Sequence, residues 1–284
     1  MSEYHIPVLL DESVSALVSN PSGVYADATF GGGGHTAAIL SRLNDGGRVI
    51  AFDRDSEALA NAPEDKRLTL IHNNFRFIEN YARQENVLFD GILADLGVSS
   101  HQFDTADRGF SFRFEDAPLD MRMNKEARLT AADVVNTYEE EDLEHILRLY
   151  GEVENARQIA RLIKAADGIR TTGDLDRAIA KALPRNAEHK VLSKIYQALR
   201  IEVNGEMRSL EKFLDGAARS LKEDGLLVVI TYHSLEDRMV KNFIKAGPLE
   251  AVTRKPVIPS ENEISANTRA RSAKMRVAQR RAGL

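Results

Sequence analysis

Cysteine is absent from the 284 residues. That removes disulfides, thiolate zinc sites and cysteine nucleophiles. It also removes pyrimidine C5 methylation by the route that adds a thiolate to the base. Long apolar runs are absent too, and nothing approaches the roughly 18 residues of a membrane span. The opening MSEYHIPVLLDESV has no basic leader and carries acids inside a short apolar stretch, unlike a signal peptide. A cytoplasmic protein is expected. What is present is an ordinary globular balance, 43% hydrophobic and 29% charged, which excludes global disorder. The length fits one large domain or two modest ones.

The small net charge of −5 hides an asymmetry. From Val252 onward there are eight basic residues (Arg254, Lys255, Arg269, Arg271, Lys274, Arg276, Arg280, Arg281) against Glu261 and Glu263. A basic end on an acidic body suits either contact with a polyanion or a solvated terminal segment.

The first hundred residues alternate strand and helix signals. Val24–Thr29, Arg48–Asp53, Leu68–His72 and Phe89–Leu96 are short β-rich runs. Helical spacing falls between them at His35–Leu43, from Ser56 to Asn61, and at Phe75–Arg83. This rhythm predicts βαβ units and a parallel, doubly wound sheet. The next buried run, Leu226–Tyr232, lies more than a hundred residues later, led in by a helix over Glu206–Lys222. Between them, Leu143–Tyr150, Glu154–Ala166, Leu175–Leu183 and Lys190–Val203 have amphipathic helical periodicity. Thr137 with Glu140, and Thr171 with Asp174, have capping-box spacing. A helical domain over 105–204, inserted in a sheet domain of 1–104 and 205–284, is the expected organisation. After the fifth strand come a helix at Leu235–Lys245 and two final strands, Glu250–Ile258 and Ala273–Gln279. The last alternates apolar and basic residues as an edge strand would, although a helix also fits there.

Four segments carry candidate chemistry. In Asp27-Ala-Thr-Phe-Gly-Gly-Gly-Gly-His35, glycines at a strand-to-helix turn let a ligand lie against bare backbone. Asp53 ends the next strand, where a carboxylate can accept hydrogen bonds from ribose hydroxyls. The pair indicates a nucleoside cofactor. Gly32-x-Gly34-x-x-Ala37 formally fits a nicotinamide fingerprint, whereas Asp27 upstream of the glycines resembles the acidic-x-Gly-x-Gly arrangement of S-adenosylmethionine (AdoMet) methyltransferases. Asp95-Leu96-Gly97-Val98-Ser99-Ser100 closes the fourth strand, at the sheet edge where ligands bind. An acceptor there can hold the N–H bonds of a base amine so that its nitrogen pyramidalises toward a methyl donor. Tyr232-His233-Ser234-Leu235-Glu236-Asp237 closes the fifth strand. Ser234 with Asp237 reads as a cap, and Tyr232 and His233 are candidates for the ligand edge.

Two further patterns are weaker. Arg108-Gly109-Phe110-Ser111-Phe112-Arg113-Phe114 suits either an unstacked base or a core. Gln197, Arg200 and Asn204 form one polar stripe on a helix, facing water or a cleft between domains. The seven histidines are scattered, so no metal site is expected.

Ten blocks in order resemble the ribosomal RNA small subunit methyltransferase H family: HIPVLLDE, DATFGGGGH, AFDRD, DGILADLGVSS, DRGFSFR, PLDMRM, YGE, QALRIEVN, VITYHSLEDRMVK and RARSAKMR. They span nearly the whole chain. The resemblance implies an α/β fold, a class I AdoMet-dependent methyltransferase (a Rossmann-like doubly wound sheet) with an inserted helical domain that recognises RNA. It implies methyl transfer from AdoMet to N4 of cytidine 1402 in the decoding region of 16S rRNA. The partner would be that rRNA within the assembled small ribosomal subunit, away from membranes, with a homodimer open. Gly33, Gly34, His35, Asp53, Phe75, Asp95 and Gln102 would bind AdoMet, and Asp95, Tyr232 and His233 are the catalytic candidates. Departures include Gly32 and His101 where the family often has Arg and Pro. The rival readings are a nicotinamide oxidoreductase, an RNA-binding assembly or regulatory factor, and a DNA N4-cytosine methyltransferase. The last lacks the usual Pro-Pro-Tyr block after Asp95.

Overall fold

The computed structural model describes residues 7–60 and 62–281. His5 and Ile6 of the first block, Asn61 of the helix expected from Ser56 and the last three residues lie outside the described residues. The chain forms two compact units, residues 1–97 with 207–284 and residues 98–206.

In the first unit the elements run α1 (Leu10–Leu17), β1 (Val24–Asp27), α2 (Gly34–Arg42), β2 (Arg48–Asp53), α3 (Ser56–Leu59), β3 (Leu68–His72), α4 (Ile78–Gln84) and β4 (Phe89–Asp95). In the second come α5 (Ser100–Asp104), α6 (Ala131–Thr137), α7 (Glu140–Gly151), α8 (Ala156–Ala165), α9 (Thr172–Ile179) and α10 (Glu188–Asn204). The chain then returns through α11 (Glu206–Ser220), β5 (Leu221–Thr231), α12 (Ser234–Ala246), β6 (Leu249–Ala251), α13 (Glu261–Ala266) and β7 (Lys274–Arg280).

The sheet order is β3-β2-β1-β4-β5-β7-β6, parallel through β5, with β7 antiparallel to both neighbours. This is the doubly wound, mainly parallel α/β sheet that the sequence predicts, with one antiparallel strand inserted. Its strands are apolar on both faces because helices cover both. Ile50, Phe52, Ile92, Ala94, Leu227 and Val229 meet α4, α11 and α12 through Ile78, Phe213, Leu214 and Val240. Val49, Ala51, Leu93, Val228 and Ile230 meet α1 and α2 through Val14, Leu17, Ile39 and Leu40.

Two expectations at the end of the chain change. The Ala273–Gln279 run is a strand but an inner one, and β6 forms the edge. The Glu250–Ile258 strand shrinks to Leu249–Ala251, with a lone bridge from Val257 to Met275. Pro256 between them has no N–H to donate to a ladder.

The helical unit begins at Val98 and ends at Glu206, not at 105 and 204. Val98 belongs to its core, and the Phe103 ring meets Phe110 edge-on at 6.3 Å. At the other end Arg200 grips Glu206 with two bonds of 2.9 and 2.8 Å. Thr171 and Asp174 do form a capping box, as do Thr130 and Asp133. Thr137 does not cap α7: it ends α6 and bonds back to the Asp133 carbonyl at 2.7 Å. The polar stripe on α10 is neither free nor solvated. Asn204 accepts from Met123 N and donates to the Met121 carbonyl, and Gln197 donates to the Tyr150 carbonyl. Arg108 is buried and donates to the carbonyls of Arg122 and Met123. Of the three alternating phenylalanines, Phe110 is buried and Phe112 and Phe114 half-buried; Phe112 meets the rings of His189 and Tyr196.

Candidate functional site

Parallel strands present their carboxyl ends along one edge of the sheet, and the candidate residues of the sheet unit collect there. Asp27, at the end of β1, is fully buried. Its Oδ2 accepts from the Thr36 hydroxyl at 2.6 Å and its Oδ1 from Thr29 N at 3.1 Å. It therefore pins the first turn of α2 to the strand end, and the glycine loop is stretched between two fixed points. Burial pushes its carboxyl above the ordinary value, against the opposing effects of His35 and Thr36.

Within the loop, Gly33 has φ 76°, and a Cβ there would lie 2.8 Å from the Phe30 ring. The position needs glycine for both conformation and space. Gly31 N donates to Asp53 Oδ2 at 2.8 Å, and Asp55 N donates to Asp53 Oδ1 at 2.8 Å. Each Asp53 oxygen keeps one lone pair uncommitted to these bonds. Burial pushes the Asp53 carboxyl upward as well.

Asp95 stands at the end of β4. Its backbone N donates to the Thr29 hydroxyl at 2.7 Å, which locks the tip of β4 to the tip of β1. Its Oδ1 is buried and has no hydrogen-bond partner. His35 Nδ1 lies 3.8 Å from its Oδ2. The other ring nitrogen of His35, Nε2, is 3.2 Å from the Val8 carbonyl and must carry hydrogen to bond it, which fixes the ring orientation.

Tyr232 flanks the same carboxylate. Its ring lies so close to Gly97 that a Cβ on Gly97 would come within 2.8 Å of it. Burial first, then the Asp95 charge and the bond to it, push the Tyr232 hydroxyl well above its ordinary value, so it is a neutral donor. Glu236 fixes this strand end by accepting from Tyr232 N at 2.9 Å. His233, not Ser234, caps α12: its Nδ1 accepts from Glu236 N at 3.4 Å. Asp237 instead takes Arg276 at 2.7 Å and Lys274 at 3.6 Å. Burial opposes that carboxylate, and the two cations outweigh it and hold it below the ordinary range.

The fold thus brings together Gly33, Gly34, His35, Asp53, Asp95, Tyr232 and His233 on one edge. Phe75, in a 3-10 turn just after β3, is half-buried with its ring edge-on to Phe213 at 5.1 Å. Gln102 belongs to the helical unit, where it is buried and closes a capping box with Ser99. Sequence reasoning missed Thr29, Thr36 and Glu236. Thr29 sits inside the glycine-loop block and Glu236 inside the fifth-strand block, so hydroxyls and acids beside a strand end were the available signal. The arrangement offers a buried acceptor aimed at no protein group, beside a neutral phenol and a bare-backbone loop.

Comparison with known proteins gives a consistent picture. A family model described as the MraW methylase family matches residues 2–281. Proteins named ribosomal RNA small subunit methyltransferase H are similar along their whole length. That of Bacteroides fragilis is 52% identical, that of Bacteroides thetaiotaomicron 51% and that of Flavobacterium johnsoniae 49%. In each case 98% of both chains is covered. Among solved structures, an rRNA methylase from Streptococcus thermophilus overlays with a TM-score of 0.42 at 11% identity, covering 95% of this chain and 93% of that one. That overlay is too loose to carry function.

Proposed function

The chain belongs to the MraW methylase family, and from that premise we propose that it is an AdoMet-dependent methyltransferase acting on N4 of cytidine 1402 in 16S rRNA, within the assembled small subunit. The observation that carries the chemistry is the buried, unpartnered Oδ1 of Asp95. A carboxylate oxygen left without a donor costs free energy unless a ligand supplies one.

The residues present fit AdoMet. The cofactor has no phosphates, so a glycine loop need only let its methionine part approach the backbone of Gly33 and Gly34 beside His35. Asp53 has lone pairs left for two ribose hydroxyls, and Phe75 offers a half-buried ring for the adenine. When bound, AdoMet supplies an electrophilic methyl group on a sulfonium.

The chain's own part is positioning. The cytidine amine is a poor nucleophile because its lone pair is conjugated with the ring. Asp95 Oδ1 accepts one of its N–H bonds and turns the nitrogen toward the methyl donor. Tyr232, held neutral, donates to the same carboxylate and keeps it oriented. Alignment of this kind supplies much of the rate without a covalent nucleophile. The base must leave its stack to reach the pocket. The helical unit recognises the RNA around it, and the protein works in the cytoplasm with the ribosome. No helix among the described residues is long and apolar enough to cross a membrane.

Methyl-labelled AdoMet offered with unmodified small subunits and with free 16S rRNA tests this. Digestion and mass spectrometry identify the labelled nucleoside. N4-methylcytidine from subunits alone is the expected result. Label on another atom would discard the base assignment, and no label despite AdoMet binding would discard the reaction.

A further inference from the structure

The eight basic residues after Val252 have unequal fates. Arg276 and Lys274 neutralise Asp237. Arg280 donates to the Leu221 carbonyl, and Arg269 has a bonding partner as well. Arg254, Lys255, Arg271 and Arg281 are exposed, and among the described residues none of the four side chains has an acidic partner.

Topology separates these four. β7 pairs antiparallel with β5, with Lys274 opposite Thr231 and Gln279 opposite Leu226. The Lys274 end therefore lies at the carboxyl edge that holds Asp95, and the Arg280 end at the opposite edge. Arg271 sits in the 3-10 turn Thr268–Ser272, directly before β7. Arg254 and Lys255 form the tip of a loop lashed to the same half of β7. Val252 N donates to the Val277 carbonyl at 2.9 Å, and Val257 exchanges two 2.8 Å bonds with Met275. The helix that follows, α13, reaches the site: Glu263 accepts from Leu9 N at 2.7 Å, and its charge acts on Tyr232. β7 is two strands from β4, about 10 Å across the sheet. Arg281 continues past the far end of β7, where its N bonds the Pro248 carbonyl.

Apolar surface accompanies the three cations on the site edge. Val252 and Ile258, at either end of the Arg254 loop, are 54% and 65% exposed, more than any other large apolar side chain among the described residues. Cations spread over two segments and interleaved with apolar side chains do not converge on a point, as the cage of a small anion would. A single RNA strand fits them, since it carries phosphates along its backbone and apolar base faces beside them.

We propose that Arg254, Lys255 and Arg271 form a rim that grips the phosphates of the RNA strand entering the Asp95 pocket, with Val252 and Ile258 against its bases. This rests on the methyltransferase reading and adds where the strand enters. Each phosphate contact on a single strand contributes about 0.7 to the slope of log affinity against log salt. Three contacts are worth about 2.

The test uses the full-length protein saturated with S-adenosylhomocysteine. A fluorescent decoding-region fragment of 16S rRNA and purified small subunits are each titrated across a KCl series. The variant carries Arg254→Ala, Lys255→Ala and Arg271→Ala together; Arg271→Ala alone and Arg281→Ala, each removing one charge but at opposite edges, form the charge-matched pair. The triple variant should lose about 2 from the salt slope and bind the fragment at least tenfold more weakly at low salt. Its S-adenosylhomocysteine affinity and Tm should be unchanged, and Arg281→Ala should match wild type. An unchanged slope in the triple variant would overturn the rim. So would equal losses in Arg271→Ala and Arg281→Ala, which would make net charge the cause. Weakened binding to subunits with normal binding to the fragment would also overturn it, by assigning the loop to a protein face. Failure of the methyltransferase reading registers elsewhere, as wild-type protein that forms no N4-methylcytidine.

Discussion

The two units treat their buried polar groups in opposite ways. In the helical unit such groups close on one another or on nearby backbone. Half-buried Asn204 ties Met121 and Met123, and buried Arg108 serves two carbonyls. In the sheet unit Asp27, Thr29, Glu236 and the backbone of Asp95 are equally well satisfied, yet together they hold one oxygen, Asp95 Oδ1, that is not. A satisfied network gives one unit its shape. In the other, satisfied groups surround an acceptor left open at the carboxyl edge, the one proposed to hold the amine.

Substitutions can break this contrast. Asp95→Ala should lower methyl transfer at saturating AdoMet by a hundredfold or more, the scale of a lost alignment. Single-turnover incorporation of labelled methyl measures it, and a loss below tenfold would deny the open acceptor its role. Asn204→Ala should act on the other quantity. It strands the Met121 carbonyl and Met123 N, costing about 2–4 kcal/mol of stability, read by urea denaturation. Its rate per folded molecule should stay near wild type; a lost rate at unchanged stability would show that the helical unit shares in the chemistry.

Tyr232→Phe keeps the ring against Gly97 and removes the donor to Asp95. The expected result is a kcat about tenfold lower, with S-adenosylhomocysteine affinity within twofold of wild type. Equal losses in kcat and affinity would reduce Tyr232 to packing.

The smallest effect belongs to Asp176 in the helical unit. Burial pushes its carboxyl up to about 6, against the Tyr196 hydroxyl that donates to it at 3.2 Å. The folded protein thus keeps a proton that the unfolded chain, at the ordinary value of 3.8, has already lost. Stability should fall as pH rises from about 4 to 6. Asp176→Asn should raise Tm at pH 7 and leave it unchanged at pH 4, and equal shifts at both would rule out titration as the cause.

Strand positions were legible because short β-rich runs stood between glycines and polar turns. Arg48–Asp53 and Leu68–His72 are strands over those same residues. The glycine loop, Asp53 and Asp95 were legible because their spacing fixes them to strand ends. Caps were harder, since Thr137 and Ser234 satisfy the same local spacing as true caps while geometry assigns the role to neighbours. The α10 stripe was misjudged for a different reason: the partners of Asn204 lie about eighty residues earlier in sequence. Charge counting overstated the tail, because pairing with Asp237 is a tertiary event that composition does not record.

The placement of β7 also bears on the order in which the molecule can be built. Its last described strand is an inner strand, and β5, its partner, is separated from β4 by the whole helical unit. Domains generally fold as units during synthesis, the N-terminal parts first. Here the helical unit closes on contacts made within residues 98–206, whereas the sheet stays open until β7 has been made. Non-local strand pairing of this kind is slow. The carboxyl-edge site therefore stays unfinished until β7 has paired with β5. A chain that stops before Lys274 is not a trimmed enzyme but one whose sheet never closes, with β5 and β6 both left as raw edges.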